Sequence, residues 1–97
     1  MLLNEVYELV KNAGLASSEG EFSQSWLGHS ECYLRTLRFK KAAPSLGSIA
    51  ICASRLQKAG EQMVSVARYR QLGMRFLAMS ERCHTYVNRE AIEIELG

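Results

Sequence analysis

Residues 27–45 run Leu27-Gly28-His29-Ser30-Glu31-Cys32-Tyr33-Leu34-Arg35-Thr36-Leu37-Arg38-Phe39-Lys40-Lys41-Ala42-Ala43-Pro44-Ser45. The order of residue types predicts a turn, a short helix, a basic loop and the start of a further helix. Gly28 tolerates a positive φ and suits a tight turn. Ser30 carries a hydroxyl that can accept a free amide of a first helical turn, so a helix is expected over Ser30–Phe39. Leu34 and Leu37, three apart, share one side and point to a core, with Tyr33 partly inward. Glu31, Cys32, Arg35 and Thr36 fall on the opposite side. Arg35, Arg38, Lys40 and Lys41 put four positive charges in seven residues with no acid among them. Lys40–Ala43 reads as a linker, and Pro44-Ser45 opens the next helix with Ser45 as its cap.

Working outward, Ser18 and Glu21 stand three apart in a capping-box pattern. They predict a helix of about two turns through Trp26, with Phe22 and Trp26 on one face and Gly28 as its stop. Further upstream, Leu2, Leu3, Val6, Tyr7, Leu9, Val10 and Ala13 recur at helical spacing before Gly14. Glu5 and Glu8 lie near the start of that segment and Lys11 near its end, as a helix dipole favours. Downstream, Leu46, Ile49, Ala50, Ala53 and Leu56 form the apolar stripe of a fourth helix, which Gly60 ends or bends. From Glu61 a long helix is expected to about Val87. Within it Tyr69, Leu72, Phe76, Met79, Cys83 and Tyr86 are spaced three, four, three, four, three, a short heptad seam. That seam either folds back onto the preceding helices or meets its twin in a dimer. A helix of this length, roughly 40 Å at the standard rise, favours the dimer. The last stretch, Ala91-Ile92-Glu93-Ile94-Glu95-Leu96, alternates apolar and acidic as an extended tail would.

The segment from Leu27 to Ser45 resembles the lambda-repressor-like (XRE, or Cro/repressor) helix-turn-helix family. That family places leucine-glycine in the turn, then serine, tyrosine-leucine, an aliphatic residue three later, a basic loop and Pro-Ser. Those anchors fall at Leu27, Gly28, Ser30, Tyr33, Leu34, Leu37, Lys41, Pro44 and Ser45 without a gap. The likeness extends more loosely over Ala13 to Leu56. It implies an all-α fold, with a helix-turn-helix head of four helices over residues 1–60. A C-terminal helical dimerisation extension over residues 61–97, a long helix with a short extended tail, would follow. It also implies roles by position. Ser30, Glu31, Cys32, Arg35 and Thr36 would face base edges, with Arg35 able to bond guanine bidentately. Ser18, Arg38, Lys40 and Lys41 would hold backbone phosphates. Outside that likeness, the heptad spacing makes Tyr69, Leu72, Phe76, Met79, Cys83 and Tyr86 the expected dimer interface.

The composition narrows the alternatives. The 97 residues suffice for one ordinary domain. They include one proline and no aspartate. Net charge is only +2, so any nucleic-acid footprint must be local. Cys32, Cys52 and Cys83 are too widely spaced for a disulfide framework or zinc motif, and reduced cytosolic thiols are the simpler reading. No metal or cofactor is expected. The N-terminal apolar residues are interrupted by Asn4, Glu5 and Glu8, unlike a signal peptide. No nucleophile–base order, phosphate loop or paired acids suggest an enzyme. The expectation is a cytoplasmic, sequence-specific regulator that binds double-stranded DNA as a homodimer. The rival is a protein-interaction adaptor that keeps the helix-turn-helix fold without binding DNA, which the low net charge and Glu31 favour.

Overall fold

A computed structural model describes residues 2–96, with side chains through residue 92. The described residues form five α-helices joined by short turns, with no strand: α1 (Leu2–Asn12), α2 (Glu19–Leu27), α3 (Tyr33–Lys40), α4 (Leu46–Val64) and α5 (Arg70–Leu96). A single 3-10 turn, Ala67–Tyr69, precedes α5. Among the described residues no helix is long and apolar enough to cross a membrane.

The first half follows the spacing of its apolar residues. α1 buries Leu3, Val6, Leu9 and Val10 on one side. Gly14, at φ +79°, lets the chain turn away after it. α2 contributes Phe22 and Leu27 to the same core, and α3 contributes Leu34 and Leu37. Ser45 caps α4 as expected, its hydroxyl accepting from the Ser48 amide at 3.2 Å. The buried stripe of α4 is rotated slightly from the expected one: Cys52 is fully buried, whereas Ala50 is exposed.

The second half differs from expectation in four respects. Gly60 does not end the fourth helix, which runs on to Val64. The helix stops at Ser65, whose hydroxyl bonds back to the Gln62 carbonyl at 2.6 Å. Val66 then adopts an extended conformation and reverses the chain. The expected boundary at residue 60 therefore falls inside α4, and α5 packs into the same core as the first four helices.

At Gly60 and Gly73 the backbones of α4 and α5 come into close contact. A Cβ built on Gly60 would lie 2.8 Å from Leu77 Cγ and 2.9 Å from the Gly73 carbonyl oxygen. One built on Gly73 would lie 2.8 Å from the Gly60 carbonyl oxygen. Further along, the Ser80 hydroxyl donates to the Ala53 carbonyl at 2.7 Å. Residues 60 with 73 and 53 with 80 make the pair antiparallel.

The heptad seam consequently lies inside the molecule. Phe76 and Cys83, expected at a dimer interface, are 0% exposed. Leu72, Met79 and Tyr86 are half-buried against the same core, and Tyr69 is exposed. Cys83 meets Cys52 of α4: a thiol–thiol hydrogen bond, together with burial, pushes the Cys52 thiol up and keeps it protonated. α4, at 19 residues and about 28 Å, is long enough to cover this seam of α5 within one chain. The alternating tail is also helical, as part of α5 through Leu96. A short lone strand has no neighbour to pair with, whereas a helix satisfies its own backbone.

At the other side of α5, Arg82 donates two hydrogen bonds to the Glu5 carboxylate, at 3.0 and 2.9 Å, and so holds α1. The hydrogen bond and the guanidinium charge hold the Glu5 carboxyl below its ordinary value of 4.5.

Two outcomes follow from these contacts. Gly73→Ala should lower stability by about 1–3 kcal/mol in urea titrations, because overpacking outweighs alanine's better helix propensity. Gly47→Ala, where the new Cβ meets nothing within 4 Å, should lower it not at all. The second outcome concerns pH. A carboxyl whose folded pKa is depressed contributes stability that is present above the unfolded value and lost as pH falls through the folded one. Arg82→Gln should therefore be less stable than the parent chain at pH 7, and this difference should shrink towards pH 3 as the Glu5 carboxyl is protonated.

Candidate nucleic-acid interface

The α2–turn–α3 unit is built from short polar contacts. Ser18 caps α2, its hydroxyl accepting from the Glu21 amide at 3.1 Å. The Glu21 carboxylate does not complete the box through Ser18; it accepts from the Ser17 hydroxyl at 2.6 Å. Gly28 ends α2 in the left-handed region at φ +67°. Its amide and that of His29 both donate to the Ser23 carbonyl. A side chain at Gly28 would also press on Ile51 of α4, 3.3 Å away.

α3 begins three residues later than expected, at Tyr33. Ser30, Glu31 and Cys32 form the turn before it, and all three are exposed. Ser30 contributes its carbonyl, which accepts from the Tyr33 amide at 3.1 Å, and not a hydroxyl cap. The N-cap position belongs to Cys32, which makes no side-chain cap bond. The missing hydroxyl comes from α2: fully buried Ser23 accepts from the Leu34 amide at 3.2 Å. A cap supplied by another helix leaves no local sequence signature, which is why Ser30 looked the better candidate.

Two further side chains fix α3. The Tyr33 hydroxyl accepts from the Ser45 amide at 2.9 Å and lies 3.1 Å from the Ser48 hydroxyl, tying α3 to the start of α4. Its ring stacks on His29 at 3.8 Å with the planes 6° apart. Arg38 reaches the other way. Its guanidinium lies 2.7 Å from a Glu19 carboxylate oxygen and donates to Asn4 Oδ1 at 3.0 Å. Arg38, expected on a phosphate, is thus paired within its own chain while staying exposed, because α1 and α2 present an amide and a carboxylate to it.

What remains of α3 faces outward. With Leu34 and Leu37 buried, Arg35, Thr36 and Phe39 share the opposite side. All three are exposed, Phe39 to 87%. Arg35 donates to the Cys32 sulfur at 3.2 Å. Lys40 closes the helix, and Lys41 follows at φ +53°, a left-handed C-cap held by a non-glycine residue. Ser18, Glu19, Gly20, Glu31 and Arg35 line one shallow concavity at the joint N-terminal ends of α2 and α3. Gly20 makes this possible, since a Cβ there would sit 3.3 Å from Glu31 Cβ.

The structure therefore brings Ser18, Glu31 and Arg35 to one concavity, with Cys32 bonded to Arg35, Thr36 exposed next to Arg35 on α3, and Lys40 and Lys41 at the far end of that helix. It diverts Arg38 and removes Ser30 from the helix. Phe39 was not among the expected contacts. Its position opposite Leu34 and Leu37 was readable from the spacing, but an apolar type invited no polar role.

Ser23→Ala leaves the buried Leu34 amide without its acceptor. It should cost about 1–3 kcal/mol in chemical denaturation, whereas Ser30→Ala should change stability by less than about 0.5 kcal/mol.

No curated protein and no solved structure matches this chain. One family model does match, over residues 3–95, nearly the whole length, and it is described as a family of unknown function. The chain, from α1 through the α4–α5 hairpin, belongs to that family, DUF6626.

Proposed function

We propose that this chain binds double-stranded DNA through the outward face of α3 and acts as a sequence-specific regulator of the helix-turn-helix kind. The observation that carries the reading is the composition of that face. Residues 33–41 contain four cations and no acid. Arg38 is engaged by Glu19 and Asn4, while Arg35, Lys40 and Lys41 make no ion pair among the described residues. Three exposed cations beside Thr36 offer both phosphate contacts and groups able to bond base edges. The resemblance of Leu27–Ser45 to the lambda-repressor-like family supports the same reading. Ser18 at the start of α2, with Lys40 and Lys41, would position the backbone. Arg35 and Thr36 would contact bases, with Glu31 and Cys32 at the edge of the contact. The single chain is taken as the binding unit, since Phe76 and Cys83, expected to pair two copies, are enclosed within one.

A second reading, a protein-interaction adaptor, is favoured by one observation: Glu31 and Arg35 share a concavity whose carboxylates would repel phosphate. The two readings part in a fluorescence-anisotropy titration of duplex DNA. Under the DNA reading, Arg35→Glu weakens binding tenfold or more, in line with about 1–3 kcal/mol for a bidentate base contact. Lys41→Gln weakens binding uniformly across sequences and makes the log-affinity against log-salt slope shallower by about 1. Absence of binding to any duplex at low salt would rule the DNA reading out. Unchanged DNA behaviour, with altered capture of a protein partner, would favour the adaptor.

A further inference from the structure

Among the described residues Phe39 is the most exposed of the large apolar side chains, at 87%, ahead of Met74 at 59%. A lone exposed apolar side chain is ordinary on a protein surface, so its placement has to carry the argument. Phe39 stands four residues after Arg35 and three after Thr36 on a helix whose other side is fixed by Leu34 and Leu37. Residues at those separations are neighbours on a helix surface. The stacked His29–Tyr33 pair and the Arg38–Glu19 pair hold α3 from either flank, so the ring is presented by an anchored helix. Arg35 is its neighbour on that face, and Lys40 and Lys41 follow it in the chain, all three without ion-pair partners among the described residues.

A partner for this patch must present negative charge around a small apolar feature. The major groove of DNA does so: phosphates line its rims, and the C5-methyl of thymine is its one apolar group. We infer that Phe39 is a sequence-determining contact that packs on a thymine methyl, one or two base pairs from the pair engaged by Arg35. This inference rests on the DNA-binding reading and adds to it a residue and a base preference. Arg35 would select guanine by hydrogen bonds, and Phe39 would select thymine by apolar contact.

The test begins with selection of duplexes from a random pool by the full chain. The enriched site should contain a thymine within two positions of a guanine. Replacing that thymine by deoxyuridine removes only the methyl, and should weaken binding by about threefold to tenfold, the worth of one buried methyl-sized group. Phe39→Ala should bind the thymine and deoxyuridine duplexes equally, with the guanine preference retained. Because Phe39 is 87% exposed, this variant should keep the parent's urea midpoint, so a changed profile cannot be ascribed to misfolding. If the parent chain binds a selected site but is indifferent to deoxyuridine, or Phe39→Ala remains as sensitive as the parent, the inference fails while the DNA reading stands. If no duplex is enriched, both fail. Loss of an acid-rimmed protein partner on Phe39→Ala, with DNA selection unaltered, would overturn the inference in favour of a protein groove.

Discussion

The contact between Gly60 and Gly73 governs the arrangement of everything downstream of α4. Two helices whose backbones come this close leave no room for a Cβ on either side. That closeness turns a pair of separate helices into a tight antiparallel hairpin. It puts Ser80 within reach of the Ala53 carbonyl, so that a buried hydroxyl is satisfied. It also lays Phe76 and Cys83 over the core begun by α1 and α2. Phe76 meets Trp26 edge to face at 6.1 Å, and Tyr7 of α1 meets Phe22 of α2 at 5.4 Å. A chain of 97 residues has little apolar surface to spare. Folding α5 back supplies intramolecularly the burial that a dimer would otherwise provide.

The hairpin also determines how α3 is held. α3 is only eight residues long, too short to be stable by its own hydrogen bonds. It depends on neighbours for its cap, its orientation and its burial. Ser23 supplies the cap, Tyr33 reaches the start of α4, and Arg38 reaches α1 and α2. α1 is in turn held to α5 by Glu5 and Arg82. The side of α3 that faces solvent is therefore rigidly placed even though none of its own residues does the placing. Rigid presentation of a few exposed groups is what a recognition surface requires, whatever its partner.

The local signals of the sequence were legible where they acted over three or four residues. The caps Ser18 and Ser45, the turn glycines Gly14 and Gly28, and the inward pair Leu34 and Leu37 all stand where their spacing put them. What was not legible was set by partners distant in sequence. Gly60 looked like a helix stop because isolated glycines often are, and only its contact with Gly73 shows a packing role. The heptad spacing of Leu72, Phe76, Met79 and Cys83 was real, but spacing alone does not say whether the facing helix belongs to another copy or to the same chain. The tail alternated as a strand would, yet no neighbouring strand exists among the described residues to pair with it. At the candidate site, Arg35 and Arg38 are the same residue type three apart, and only the positions of Glu19 and Asn4 separate an internal tether from an exposed contact.

That separation bears on how a chain of net charge +2 could recognise DNA at all. A protein that relies on bulk positive charge gains affinity for every sequence alike. Here one of the four cations of residues 33–41 is paired with Glu19 at the surface, and Glu31 stands at the edge of the unpaired set. Such a face attracts phosphate weakly and leaves proportionally more of its contact to groups that distinguish bases. Glu31 would repel a phosphate, but a carboxylate can accept from the cytosine amine in the major groove. Its fixed seat against Gly20 keeps it at the N-terminal end of α3, where base edges would be nearest. The same acid that lowers general affinity would then raise discrimination. A weak, selective contact of this kind would need several independent base-reading groups to act together, and Arg35, Thr36 and Phe39 are exposed together on one face of α3.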